Sequence, residues 1–211
     1  MAVVSSAEQQ VILRGISWET YERLLAEQLE ESGIHFTYDC GALEIMVLSA
    51  RHERPNRVLA TLVEVLAEEM GVDLERLGSV TLKRADLLKG FEADSCFYIQ
   101  RVAAIAGRDE IELGTDPPPD LVIEVDITSP SLQKLPIFAA VGIPEVWRYD
   151  GRAVTILRLE GDHYAEAGRS SAFPVATGQA LTRLVTESRE VRSTEWLRRV
   201  RDWIRGTLDR R

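Results

Sequence analysis

The stretch PPPDLVIEVDITSPSLQK, residues 117–134, constrains this chain more than any other. Three consecutive prolines halt whatever secondary structure precedes them. DLVIEV then reads as a short, nearly continuous apolar strand, the kind buried on both faces of a sheet. Glu124 and Asp126 interrupt it. Residues two apart on a strand point the same way, so both carboxylates emerge on one face. A buried carboxylate is costly unless it is paired or binds a metal, and two on one face repel each other. A divalent cation between them relieves both problems. An edge strand with a wet acidic face would avoid them altogether. Lys134 follows and is placed to return over the same face from the next helix.

The 211 residues are 45% hydrophobic and 28% charged, a balance that fits one globular domain with a full core. We expect a single domain over 1–211, with its core at about 17–185 and a closing amphipathic helix at about 193–209. No stretch approaches the roughly 20 apolar residues of a membrane span. MAVVSSAEQQ lacks the basic start and apolar run of a signal peptide, so a cytoplasmic location is expected. The two cysteines, Cys40 and Cys96, form no CxxC and read as small core residues in a reducing compartment. A net charge of −9 does not attract nucleic acid by itself. A nucleic-acid function therefore requires a local basic patch or a metal.

Taken in order, residues 1–16 read as a loose arm ending in a strand, VILRGIS. Ser17 is placed to cap a helix whose apolar residues Trp18, Tyr21, Leu24, Leu25 and Leu29 repeat through Ser32, with Gly33 as its stop. IHFTYDC and LEIMVLS form a hairpin around Gly41. Glu44 shares the face of Met46 there, an odd place for a charge. Ser49 caps a second helix that carries His52 near its start and ends at Gly71. VTLKR and GFEADSCFYIQ read as strands with turns, with a short helical piece at VAAIAG. SLQKLPIFAAVG is a helix that must be irregular or begin late because of Pro136. VWRYD, AVTILRLE and HYAEAG form an antiparallel meander turned at Asp150-Gly151 and Gly161-Asp162. Two helices, Gly178 to Ser188 and Ser193 to Leu208, close the chain. The sum is an α/β (α+β) domain with a mixed central sheet flanked by helices.

The acids beside strongly apolar neighbours are Glu44, Asp94, Glu124 and Asp126, and Lys134 joins them. Asp94, Glu124 and Asp126 could hold a Mg²⁺ with waters completing its octahedron, while the lysine stabilises charge on a phosphate. Acid spacing alone supports this weakly.

The frame around these residues is more specific. GALEIMVLSARHE (41–53), GFEADSCFYIQ (90–100) and PPPDLVIEVDITSPSLQKLPIFAAVGIPEVWRYDG (117–151), followed by TILRLEGDHY, resemble the Uma family of restriction-endonuclease-like proteins, within the PD-(D/E)xK nuclease superfamily. The resemblance is co-linear over roughly 17–185. It implies a restriction-endonuclease-like core, often dimeric; with the acid–lysine set we expect a divalent cation (Mg²⁺ or Mn²⁺) and a nucleic-acid substrate, DNA before RNA, the sequence leaving the two open. It also implies that Asp94 and Glu124 match the family's motif acids and that Lys134 matches a lysine displaced onto the following helix. Glu44 and His52 match the acidic strand residue and the histidine opening the next helix. Asp126 stands where the superfamily pattern has lysine, and Gln133 precedes Lys134 where many relatives place an acidic or amide residue nearby. Pro119-Asp120 spells the motif's first two letters but lies on the wrong strand.

Each of these residues also has a plainer reading. Asp94 could cap a turn, Asp126 could end its strand, Glu44 could pair with an arginine, and Lys134 could be a solvated helix lysine. His52 could be an ordinary hydrogen-bonding residue. His35 and His163 have no evident partners. The arginines of STEWLRRVRDWIRGTLDRR favour a docked closing helix over a phosphate-tracking patch. Three functions follow: a metal-dependent endonuclease, a non-catalytic dimeric scaffold of the same fold, or a metal-dependent phosphoesterase for small compounds.

Overall fold

Two sheets share the work that the sequence pattern assigns to one. The computed structural model describes residues 9–27, 33–127 and 132–210. The expected start of the N-terminal arm, the end of the first helix at Leu29 and Ser32, and residues 128–131 after the central strand lie outside the described residues. In chain order the elements are β1 (Gln9–Arg14), α1 (Trp18–Glu27), β2 (Ile34–Asp39), β3 (Ala42–Val47), α2 (Ala50–Met70), β4 (Glu75–Gly78), β5 (Thr81–Arg84), β6 (Lys89–Glu92) and β7 (Ser95–Tyr98). Then follow α3 (Val102–Ile105), β8 (Leu121–Val125), α4 (Lys134–Val141), β9 (Glu145–Tyr149), β10 (Val154–Glu160), β11 (His163–Glu166), α5 (Gly178–Glu187) and α6 (Ser193–Leu208).

The first sheet is antiparallel, in the order β1-β3-β2-β6-β5. The second is mixed, in the order β11-β10-β9-β8-β7-β4, with β8 and β9 as its parallel pair. β8 is therefore central rather than an edge strand, and all five of its residues are buried. Its side chains alternate. Leu121, Ile123 and Val125 enter the core shared with α2, α5 and α6, while Val122 joins Ile137 and Phe138 of α4 on the opposite face. Helices thus cover both faces of the mixed sheet, and β9, β10 and β11 supply the meander.

Local signals set most boundaries. The Ser49 hydroxyl accepts a hydrogen bond from the His52 amide at 3.3 Å, and Gly71 ends α2 in the left-handed conformation. α4 begins at Lys134, so Pro136 falls in its first turn, where a missing N–H costs nothing. GFEADSCFYIQ does not stay in one sheet. It ends β6 at Glu92, crosses at Ala93 and Asp94, and opens β7 at Ser95 in the other sheet.

Cys96 is a core residue, but Cys40 is exposed. With Gly41 it forms a two-residue hairpin turn in which both residues have positive φ, and such a turn projects away from any core. On α6, Trp196, Val200 and Ile204 pack inward, while Arg201 and Arg205 pair with Glu68 and Glu69 of α2. These arginines fasten a closing helix.

Candidate active site

The end of β8 points Glu124 toward the first sheet. In the β7–β8 register Ser95 faces Ile123, so the next alternating position puts Asp94 on the same face as Glu124. The sheet crossing at Asp94 is thus what brings the second acid to the first. Asp94 is buried, and its Oδ2 accepts a hydrogen bond from the Val125 amide at 2.7 Å. The same oxygen lies 3.3 Å from Nε2 of His52. One turn along α2, Asn56 donates to the Asp94 carbonyl at 3.0 Å and accepts from the Ser95 hydroxyl at 2.8 Å. The start of α2 therefore clamps the crossing through His52 and Asn56.

Lys134, the first residue of α4, places its Nζ 2.7 Å from Oε1 of Glu124. Both side chains are buried. Glu44 arrives from β3 in the other sheet and contacts Gln10 of β1. Asp126, just past β8, pairs with Arg148 of β9, whose Nε donates at 3.1 Å. Arg148 stands beside Glu124 in the parallel register, so β9 delivers the cation to the acidic end of β8. Glu44, His52, Glu124, Asp126 and Lys134 line one cavity of about 260 Å³. Asp94 is not in that lining; it lies behind it, against His52 and the β8 backbone.

The charges in this space are coupled. Burial pushes Glu124 above the ordinary carboxylate range; Lys134 opposes that shift and Asp94 adds to it. Burial works against the Lys134 ammonium, yet Glu124, Asp94 and Glu44 outweigh it and hold the amine above the usual lysine range. A second pair sits nearby: His35 of β2 and Glu92 at the end of β6 are buried with a 4.0 Å separation. Burial lowers His35 to about 4, with Lys134 and His52 adding to the shift. Burial raises Glu92 to about 7 against the Phe36 amide, the Thr81 hydroxyl and Lys134.

Sequence reasoning passed over Gln10, Asn56, Glu92 and Arg148, and found no partner for His35, which the fold sets against Glu92. Asn56 carried a usable signal, since it lies four residues after His52 on the same helical face. The others reach the site only through strand pairing. Asp120 is structural: Oδ2 accepts from the Ile99 and Arg101 amides at 2.7 and 3.0 Å.

Among the described residues, no group of three or more His, Cys, Asp or Glu side chains is arranged as a metal cage. The donor chemistry still fits a hard divalent cation that keeps several waters. Glu124 lines the cavity, and its Oε2 has no hydrogen-bond partner among the described residues. Asp94 acts electrostatically on Glu124, and both Asp94 and Glu44 act on Lys134. Asp126 is the poorest fit, because Arg148 already engages it.

A mixed sheet with an acidic central strand, a sheet-crossing aspartate and a lysine opening the next helix defines a nuclease-like α+β fold. A solved crystal structure described as that of a "putative nuclease" from Anabaena variabilis shares this fold, with a TM-score of 0.52 at 12% identity. The match covers 78% of this chain and 97% of that one. The chain belongs to the Uma2 family, described as "Putative restriction endonuclease", whose model matches residues 18–186. No match was found among curated proteins.

Proposed function

We propose that this protein is a Mg²⁺- or Mn²⁺-dependent endonuclease that hydrolyses phosphodiester bonds of nucleic acid, with DNA as the first substrate to test. The observation that carries the reading is the buried Glu124–Lys134 pair on the wall of a cavity shared with Glu44 and His52, with Asp94 behind it. Membership of the Uma2 family supports it.

In this reading Glu124 and Asp94 hold the cation, Glu44 completes the acidic wall, and Asp126 joins as a ligand only by leaving Arg148. The bound ion supplies Lewis acidity and lowers the pKa of a water. Lys134 remains cationic among the carboxylates and exchanges its contact with Glu124 for the phosphate, where it stabilises charge gained in the transition state. His52 orients Asp94, and Asn56 fixes the backbone that carries it. We also propose one domain that works as a cytoplasmic homodimer. Two free cysteines fit a reducing compartment, and Val11 and Leu13 of the edge strand β1, with Val47 at the end of the adjoining β3, expose apolar surface.

A non-catalytic scaffold is the second reading. It is favoured by the internal pairing of Asp126 with Arg148 and of Glu124 with Lys134. Incubation of supercoiled plasmid and single-stranded DNA with Mg²⁺ or Mn²⁺, wild type beside Glu124→Gln, separates the two. Metal-dependent cleavage lost in the variant is the expected result. Equal traces in both, with no hydrolysis of small phosphodiesters, would move the protein to the scaffold class.

A further inference from the structure

A second cavity, of about 900 Å³, opens on the other side of the C-terminal end of β8. Its walls are the first turns of α2, the end of β9 with Gly151, and the end of α5. Adjacent residues tie it to the candidate active site. Asp126 lines the first cavity and Ile127 the second; His52 lines the first, and Arg51 and Glu53 the second.

Four arginines line this groove: Arg51, Arg54, Arg57 and Arg189. Glu53 is the one acidic residue in the lining, and its Oε1 already accepts from Arg57 at 2.5 Å. Arg51 and Arg54 are exposed and form no ion pair among the described residues. Arg189 is held at the rim. Its Nη2 donates to the Tyr149 hydroxyl at 3.2 Å, and that hydroxyl donates to the Gly151 carbonyl at 2.9 Å. The positive end of the α2 dipole adds to the same field. This concentration of unspent cations occurs in a chain of net charge −9. On α6, by contrast, Arg199, Arg201 and Arg205 face glutamates, and Arg198 is the one arginine of that helix without an ion pair among the described residues.

Guanidinium groups bind phosphate oxygens as planar forks and carry no sequence information when they do. Arg51 and Arg54, three apart on α2, stand about 5–6 Å apart at Cβ, so their long side chains can engage neighbouring phosphates of one strand. We propose that this groove holds the sugar–phosphate backbone of a nucleic-acid strand leading to the candidate active site, with Arg51, Arg54 and Arg189 on its phosphates. The proposal rests on the nuclease reading of the adjoining cavity and adds the path of the substrate. It also answers the charge problem: an acidic protein engages nucleic acid through one local basic strip.

The test is binding in EDTA, which separates it from cleavage. A fluorescein-labelled single-stranded DNA and its duplex are titrated by anisotropy at several KCl concentrations. The groove variant Arg51→Ala/Arg54→Ala/Arg189→Ala is compared with Arg76→Ala/Arg183→Ala/Arg199→Ala. The latter removes the same charge from exposed arginines that pair with Glu64, Glu187 and Glu195. Urea midpoints establish that both variants fold.

The groove variant should bind about tenfold or more weakly at low salt, and the slope of log Kobs against log salt should fall by about 2–3. The control should keep the wild-type slope. Equal losses in both variants, no loss in either, or no binding by wild type would overturn the proposal. Intact binding and cleavage in the groove variant, with cleavage lost in Glu124→Gln, would remove the groove and leave the nuclease reading standing. Groove-dependent binding without cleavage by wild type would do the reverse.

Discussion

Replacing Lys134 by Met should make stability depend on pH in a way the wild type is protected from. The amine sits 2.7 Å from Glu124, and both side chains are buried. Burial already raises Glu124, and Lys134 is the main group opposing it. Without the lysine the carboxyl must rise further and take up a proton in the folded state. A raised folded pKa contributes stability that is present at low pH and lost as pH climbs toward that pKa. Removing Lys134 extends the loss to the alkaline side of neutrality. Each further pH unit then costs about 1.4 kcal/mol. Wild-type Glu124, raised to about 7, shares the loss up to that pH, so between about pH 6.5 and pH 8.5 the gap from wild type should widen by about 2 kcal/mol, toward the roughly 3–5 kcal/mol typical of a broken buried pair. Glu124→Gln should cost less, because Asp94 and Glu44 still face the ammonium. The double variant Glu124→Gln/Lys134→Met should lose the pH-dependent gap. Urea unfolding followed by tryptophan fluorescence reads this directly, since Trp147 is fully buried, and equal m-values keep the midpoints comparable. A Lys134→Met gap identical at both pH values, or one that persists in the double variant, would refute the reasoning.

Two further effects follow from the same region. His35, lowered from 6.5 to about 4, contributes stability that is present above pH 6.5 and lost as pH falls toward 4. Glu92, raised from 4.5 to about 7, contributes stability that is present below pH 4.5 and lost as pH rises toward 7. The two slopes oppose each other between about pH 4.5 and pH 6.5. Relative to wild type, Glu92→Gln should therefore gain stability with rising pH by up to about 3 kcal/mol, and His35→Gln should do the opposite. Parallel behaviour of the two variants would refute the assignment. Asn56→Leu should cost about 2–4 kcal/mol in urea unfolding, because it removes the hydrogen bonds to the Asp94 carbonyl and from the Ser95 hydroxyl in the interior. Wild-type stability in that variant would show that the crossing needs no clamp.

Much of this architecture was legible in the chain because it is local. The unbroken apolar run of β8, the Ser49 cap, the Gly71 stop, the Gly41 hairpin and the late start of α4 each follow from a few neighbouring residues. Glu124 stood out for the same reason: a carboxylate inside a strand buried on both faces demands a partner.

The pairing of distant strands was not legible, and the site depends on it. GFEADSCFYIQ reads equally well as one bent strand or as two strands in different sheets; only the packing of β6 on β2 and β7 on β8 divides it at Asp94. Nothing near Asp126 in sequence announces Arg148, which the parallel β8–β9 register brings beside it. His35 and Glu92 were unremarkable letters until two strands enclosed them. The arginines show the point most simply. Those of α6 form the denser basic run in sequence, yet Arg199, Arg201 and Arg205 are matched to glutamates, while Arg51 and Arg54 on α2 line a groove without an ion pair among the described residues. A side chain's type is written in the sequence, but the burial and the counter-charge that decide its energy belong to the residues that folding sets against it.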